Sequence, residues 1–505
     1  MTRNTIETRT VGLSNRTAAE PCILVIFGAS GDLTHRELIP ALYELAHQEL
    51  LPAPFAMVGF ARSGWSDDDF RERMRDAVQR ECTFDEKTWR AFSRQLFFVP
   101  GDFNAPADGD YAALQERIAS VRADIGAPDN VMFHLATPPT FFPTIVDKLE
   151  ASGLTKGEGW RRLVIEKPFG EDERTARALD QTLRSVFAEE QIYRIDHFLG
   201  KETVQNMLVF RFANPSFEPI WNRNFIDHVQ ITVAEDIGIG TRAGFYEKTG
   251  VVRDMMQNHL LSLLCMTAIE PPLRFNGPAL RDETVKVLEA VEPLGPDRAV
   301  RGQYAAGTVG DAPARGYREE DRVASDSVTP TFVAAKLTID NWRWAGVPFY
   351  LRTGKRMPRK LTEVAIHFKA TPHLMFPQEH RDGHSNMLTF RLQPEEGIVQ
   401  TFAAKQPGPT LRIENVRSSF LYASAFGVTE PPRAYAWLLL DVMEGDQTLF
   451  ARADWIDRAW QIVDPLIATW EADAPADFPN YTAGSWGPAA ADALLQKDGR
   501  EWTVI

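Results

Sequence analysis

The chain has 505 residues, enough for two or three domains at about 100–200 residues each. Hydrophobic residues make up 44% and charged residues 25%, a soluble globular composition that excludes collagen, long coiled coil and bulk disorder. The net charge of −14 argues against nucleic acid or an anionic membrane as partner, while leaving room for a local basic pocket that takes a small anion.

The three cysteines, Cys22, Cys82 and Cys265, form no CxxC pair, and an odd count fits no disulfide framework. They point to a reducing, cytoplasmic compartment. The first twenty residues are polar, without an apolar secretory core, and read as a flexible tail. No run approaches the roughly 18–20 apolar residues of a membrane span.

Cys22 to Gly28 (CILVIFG) reads as a strand buried on both faces. Helical spacing follows over 38–51, with Leu38, Leu42, Leu45 and Ala46 on one face; Pro40 fits near a helix start or a break. Residues 55–60 predict a second strand and 67–80 a polar-faced helix. Strands follow at 96–99, 131–136 and 163–166, with a helix over 140–151. Alternating β and α over residues 21–195 predicts a Rossmann-like, doubly wound parallel sheet. Residues 196–505 change texture. Alternating strands at 225–235, 364–370, 387–392 and 397–403, with helices at 251–268 and 432–443, predict a larger α+β domain with a mainly antiparallel sheet. Segments 292–330 and 471–488, rich in Pro, Gly and Asp, read as long surface loops.

The first strand ends in Gly28-Ala29-Ser30-Gly31-Asp32-Leu33. Two glycines permit a tight turn and close approach to a pyrophosphate at a helix start. By itself this GxxGDL is a weak signal, with a ligand-free βα turn as the alternative reading. Arg62, after the second strand, stands where an acid would bind a ribose hydroxyl; an Arg there accepts a 2′-phosphate and favours NADP over NAD.

Glu166-Lys167-Pro168-Phe169-Gly170 ends the last predicted strand of this half, placing Lys167 at the carboxyl edge of the sheet where ligands bind, before a rigid Pro turn. At the change of texture stands RIDHFLGKE (194–202), which offers Asp196, His197 and Lys201 as a carboxylate and two anion-binding groups. From spacing alone a charged turn is the plainer reading. His259, in DMMQNH, falls on a stripe with Val252, Met255, Met256 and Leu263, where a core histidine is the plainer reading.

In that order across residues 28–356, GASGDL, EKPFG, RIDHFLGKE, DMMQNH and VPFYLRTGKR resemble the glucose-6-phosphate 1-dehydrogenase family, and YTAGSWGP (481–488) resembles its terminal segment. The resemblance implies an oxidoreductase that moves a hydride from C1 of D-glucose 6-phosphate to NADP, with NAD as a secondary acceptor. It implies that His259 is the general base and Asp196 its orienting carboxylate. His197 and Lys201 become the phosphate clamp. Lys167, Glu235, Asp254 and Lys355 become substrate-binding residues, with Gln393 touching the sugar. Gly28, Ser30, Gly31, Asp32, Leu33, Arg62 and Lys167 become the cofactor site. No metal is implied, because the nicotinamide accepts the hydride. Family members pair through the second-domain sheet, which implies a homodimer or homotetramer. Two rival readings are a dehydrogenase of another sugar or sugar phosphate and a non-catalytic NADP-binding regulator on the same fold.

Two positions depart from the family pattern. Phe198 stands where Tyr is usual and lacks a hydroxyl for the phosphate. Glu37 stands where Lys is usual; its charge repels phosphates unless it turns outward or His35 and Arg36 compensate it, and compensation is the expectation here. His373, His380 and His384 lie in a Pro/Asp/Gly-rich stretch that reads as a solvated loop. Trp342 and Trp344 are expected to pack on the second sheet.

Overall fold

The computed structural model describes residues 19–373, 375–376, 386–427 and 433–503. Most of the expected 1–20 tail, His380 and His384 lie outside them. Six strands, β1 (Cys22–Phe27), β2 (Phe55–Ala61), β3 (Leu96–Pro100), β4 (Val131–Leu135), β5 (Arg161–Glu166) and β6 (Ile192–Ile195), pair in parallel in the order β3-β2-β1-β4-β5-β6. Every residue of β1, β2 and β4 is buried. Their unbroken apolar sequences suit strands covered on both faces. The winding reverses beside β1, which has β2 on one side and β4 on the other; such a switch point opens a crevice at the strands' carboxyl ends.

Gly28 closes β1 at φ +86, and its N–H donates to Phe60 O at 2.9 Å, tying the turn to the end of β2. A Cβ there would lie 2.3 Å from Ala136 O. The next residues form a π-helical turn (Thr34–Leu38) that runs into the α-helix Ile39–His47. Pro40 therefore sits where the π-turn passes into the α-helix, a break in the regular hydrogen-bond ladder that accommodates its missing N–H.

The second sheet has eight strands. In spatial order they are Ile413–Leu421, Gly397–Lys405, Met387–Gln393, Leu361–Phe368, Ile226–Ala234, Pro348–Gly354, Phe332–Thr338 and Ala299–Gly302. All neighbours are antiparallel except Pro348–Gly354 against Ile226–Ala234, which are parallel. The sheet is thus mixed but mostly antiparallel. A contiguous apolar core joins both sheets. Arg162 of β5 donates to Val442 O and Met443 O at 2.8 Å each, and the Trp460 indole donates to Phe169 O at 3.0 Å.

Three expectations change. Residues 292–330 and 471–488 are not plain surface loops. The first contains the edge strand Ala299–Gly302 and a short hairpin, and Tyr481–Thr482 of the second pairs with Tyr304–Ala305. Their turn-forming composition conceals three aromatics, Tyr304, Tyr317 and Tyr481, which bury together as a second small core. The helix expected over 251–268 is a π-helix from Val252 to Leu260 followed by the α-helix Leu261–Ala268. Trp344 is buried and donates to Ala268 O, but Trp342 is 91% exposed, because the turn carrying both points only one inward. Among the described residues no helix is long and apolar enough to cross a membrane.

Gly28→Ala forces a side chain into both a left-handed backbone and a carbonyl. It is expected to cost at least about 1–2 kcal/mol from the backbone alone and to lower the denaturation midpoint. Gly64→Ala, where a Cβ meets nothing within 4 Å, is expected to leave the midpoint unchanged.

Candidate active site

Between the two sheets lies a cavity of about 550 Å³, lined among others by Leu33, Lys167, His197, Lys201, Gln393 and Arg433. Lys167 and Glu166 reach it from the end of β5, and His197 and Lys201 from the turn after β6. The Lys167–Pro168 peptide is cis.

Behind Lys167 lies a chain of hydrogen bonds. Lys167 Nζ is 2.6 Å from His259 Nε2, and His259 Nδ1 is 2.6 Å from Asp196 Oδ1. An ammonium can only donate, so Nε2 accepts and Nδ1 carries the proton that Asp196 receives. His259 therefore rests neutral, with its lone pair facing Lys167. Asp196 is fixed in turn by the Phe198 N–H at 3.0 Å and the Ser262 hydroxyl at 3.2 Å. Lys167 also donates to Asp254 O at 3.0 Å and approaches Asp254 Oδ1 at 3.4 Å.

The π-helix makes this convergence. It carries Asp254 and His259 together, both buried, and i→i+5 bonding widens its turn. The α-helical stripe expected from Val252 to Leu263 does not describe it. Gly250, at φ +60, breaks the helix just before it.

Burial pulls His259 below the ordinary imidazole range; the Asp196 charge opposes this and Lys167 adds to it. Burial pushes Asp196 upward, but His259, His197 and Lys167 outweigh it and hold the carboxyl well below its usual range. Burial likewise pulls His197 far down and brings Lys201 down to about 8, with Lys360 repelling it further. His197 is thus a neutral imidazole that can donate a hydrogen bond and Lys201 an ammonium, both in a partly dry cleft where an anion is bound more strongly than in water. Lys355, 1% exposed, pairs with Glu235 at 2.7 Å, and its charge helps keep Asp254 ionised against burial.

Phe198 is buried, stacked on the His259 imidazole at 4.1 Å, with Lys201 Nζ 3.7 Å from its ring centre. The missing hydroxyl is thus accompanied by a cation–π contact that holds Lys201. His35 bonds Gly31 O at 2.8 Å and Arg36 pairs outward with Asp32 at 2.8 Å, so neither compensates Glu37. Glu37 lines the cavity, and the cation facing it is Arg433 at 3.7 Å.

Gly28, Ser30, Gly31, Asp32 and Leu33 form the turn above β1, with Gly31 N donating to Gly28 O at 2.8 Å. Arg62 follows β2, exposed and without an ion-pair partner among the described residues. A turn with no room for a Cβ at Gly28, at the carboxyl edge of a parallel sheet, fits the close approach of a dinucleotide. Asp196, His197 and His259 offer donor atoms within 4.8 Å of one another. Both His259 nitrogens are engaged, one by an ammonium, which disfavours a cation there.

Sequence reasoning missed Ser262, one turn after His259; Arg242 and Arg433 in the cavity wall; and the buried set His134–Glu166–Tyr435, bonded at 2.9 and 3.0 Å directly before Lys167. Of these, only Ser262 had a signal, its helical spacing from His259.

Residues 25–206 match the family described as glucose-6-phosphate dehydrogenase, NAD binding domain, and residues 208–503 match its C-terminal domain. The chain belongs to the glucose-6-phosphate dehydrogenase family. It is 46% identical over 489 residues to the glucose-6-phosphate 1-dehydrogenase of Aggregatibacter actinomycetemcomitans, covering 96% of this chain and 97% of that one. It is 41% identical to the Bacillus subtilis enzyme, over 96% of this chain and 98% of that one. A solved glucose-6-phosphate dehydrogenase in complex with glucose 6-phosphate superposes with a TM-score of 0.88 at 32% identity, covering 97% of this chain and 100% of that one. The Mycobacterium avium enzyme superposes at 0.82 and 36% identity, over 96% and 99%.

The two partners of His259 act on its titration with opposite signs. Asp196→Asn removes the charge that favours the imidazolium, so the midpoint is expected to fall further. Lys167→Ala removes a repelling cation, so the midpoint is expected to rise. Histidine nitrogen NMR on the ligand-free protein reads both; equal shifts of one sign would contradict the arrangement.

Proposed function

We propose that the chain oxidises D-glucose 6-phosphate at C1 with NADP, yielding 6-phospho-glucono-1,5-lactone, with NAD as a weaker acceptor. The observation that carries this reading is the neutral, Asp196-anchored His259, whose Nε2 lone pair is covered only by a lysine that the substrate hydroxyl can displace. Membership of the family and the likeness to a relative solved with this sugar phosphate support it.

A nicotinamide held by the turn from Gly28 to Leu33 would supply the acceptor for the C1 hydride. The protein's own part is the proton. His259 Nε2 accepts it from the O1 hydroxyl as the C1–O1 double bond forms, and Asp196 stabilises the resulting imidazolium through Nδ1. Lys167 moves from Nε2 to the sugar oxygen. His197 and Lys201 hold the phosphate, and Glu235, Asp254, Lys355 and Gln393 hold the sugar hydroxyls. The turn from Gly28 to Leu33 holds the pyrophosphate, and Arg62 the 2′-phosphate. In this reading residues 21–195 serve the cofactor and 196–505 the substrate and assembly, in a cytoplasmic enzyme.

Steady-state kinetics with glucose, glucose 6-phosphate and galactose 6-phosphate, each with NADP and NAD, test it. Glucose 6-phosphate with NADP is expected to give the highest kcat/KM; no reduced nicotinamide would favour the regulator reading. His259→Asn is expected to lower kcat by about 10²–10⁴-fold. Lys201→Ala is expected to raise the KM for glucose 6-phosphate by at least about tenfold, from the loss of a bond to a charged group, and leave that for NADP alone. Arg62→Asp is expected to raise the KM for NADP and spare NAD.

A homodimer or homotetramer paired through the second sheet belongs to the same proposal. Its edge strand Ile413–Leu421 is mostly exposed, and Phe402, Val416 and Phe426 are exposed on or beside it. Sedimentation is expected to report two or four chains, and Val416→Arg to shift the assembly toward monomer.

A further inference from the structure

The cavity proposed to take a dianion carries a carboxylate in its wall. Glu37, half-buried in the π-helical turn after β1, lines it together with Lys167, Lys201 and His197. Two other acids line it. Glu166 is held by His134 and Tyr435, and Glu396 also has a partner. Glu37 faces Arg433.

Arg433 is unusually well fixed for this role. It immediately precedes the helix Ala434–Glu444. Its Nε binds Glu44 Oε1 at 3.0 Å and its own backbone N–H binds Glu44 Oε2 at 3.2 Å. Nη2 lies 3.6 Å from Glu81 Oε2, and Nη1 donates to Arg36 O at 3.2 Å while turning to Glu37 at 3.7 Å. Glu44 and Glu81 hold the guanidinium from the first half of the chain, outside the cavity. The planar fork then presents one nitrogen to Glu37, a geometry an ammonium cannot reproduce.

We propose that Arg433 is a positioning residue of the substrate cleft: by pairing with Glu37 it keeps that carboxylate off Lys167 and Lys201 and leaves those cations free for the phosphate. This rests on the proposed substrate. Without Arg433, Glu37 has two consequences of the same sign. Its charge repels the incoming dianion, and it competes with the phosphate for the clamp. Burial already pushes the Glu37 carboxyl above its usual range, with Arg433 opposing and Glu81, Glu44 and Glu166 adding.

The test is a cycle of full-length variants: Arg433→Met, which keeps the aliphatic stem, Glu37→Gln, and the pair together. Calorimetric binding of glucose 6-phosphate to the cofactor-free protein is read beside KM and kcat. Arg433→Met is expected to weaken binding by about tenfold or more, the scale of coupling between charges in contact, with the loss shrinking as salt rises. Glu37→Gln is expected to bind at least as tightly as the parent. The double variant is expected to return to within about threefold of the parent. A role that is merely structural predicts a double variant as weak as Arg433→Met. That result, or an Arg433→Met variant that binds like the parent, overturns the pairing. If Arg433→Met does not fold, Arg433→Lys replaces it, with the same rescue by Glu37→Gln required. A parent protein that neither binds nor oxidises glucose 6-phosphate overturns the substrate assignment instead.

Discussion

The site depends on one contact, the 2.6 Å hydrogen bond between His259 and Asp196. It joins the turn after the last parallel strand to a helix 63 residues further on. It decides which imidazole nitrogen carries the proton. With Nδ1–H committed to the carboxylate, the lone pair on Nε2 has one direction left, toward Lys167 and the cavity behind it. Without that anchor the Nδ1–H is left buried and unpaired and only Lys167 orients the ring, and a base whose lone pair faces the protein is no base. The Ser262 hydroxyl and the Phe198 N–H hold the carboxylate still, so the orientation passes from backbone to Asp196 to His259.

The fold supplies the two surfaces that meet at this contact. Parallel strands end together and present Lys167, Asp196 and the glycine turn on one edge. The π-helix on the other side carries Asp254 and His259, and a wider helix turn aims both at Lys167. Such turns forgo regular α-helical bonding and are often found at functional sites. Here the gain is visible: one lysine reaches an acid and an imidazole five residues apart.

Charge in the cleft is arranged rather than merely accumulated. Burial makes each ammonium there dearer to keep, and the cleft answers with acids of the right reach, Glu235 for Lys355 and Asp254 for Lys167, while Asp196 anchors the neutral His259. Glu37 inverts the scheme. It is an acid among the cations proposed to hold the phosphate, and the cation facing it is an arginine from the opposite half of the chain. This account of Glu37 differs from compensation by His35 and Arg36, which the local sequence suggested. Both of those side chains turn to partners within their own turn, at Gly31 and Asp32.

Much was legible in the residues alone. Apolar runs predict the buried parallel strands, and alternation predicts the second sheet, although its central strands Ile226–Ala234 and Leu361–Phe368 are buried on both faces rather than wet on one; the short motifs that resemble the family mark Lys167, Asp196, His197, Lys201 and His259. These signals are local, carried by neighbours in the chain, so a linear reading reaches them. The remainder was not local. The aromatics Tyr304, Tyr317 and Tyr481 look like loop residues until strands far apart in sequence bury them together. The π-helix looks like an α-helix, since both share an apolar stripe. Arg433 looks like a surface charge after two prolines until it meets Glu37, Glu44 and Glu81, about 350 to 400 positions away. An ion pair or a proton relay is a property of distance in space, and only the packing of one half of the chain against the other determines that distance.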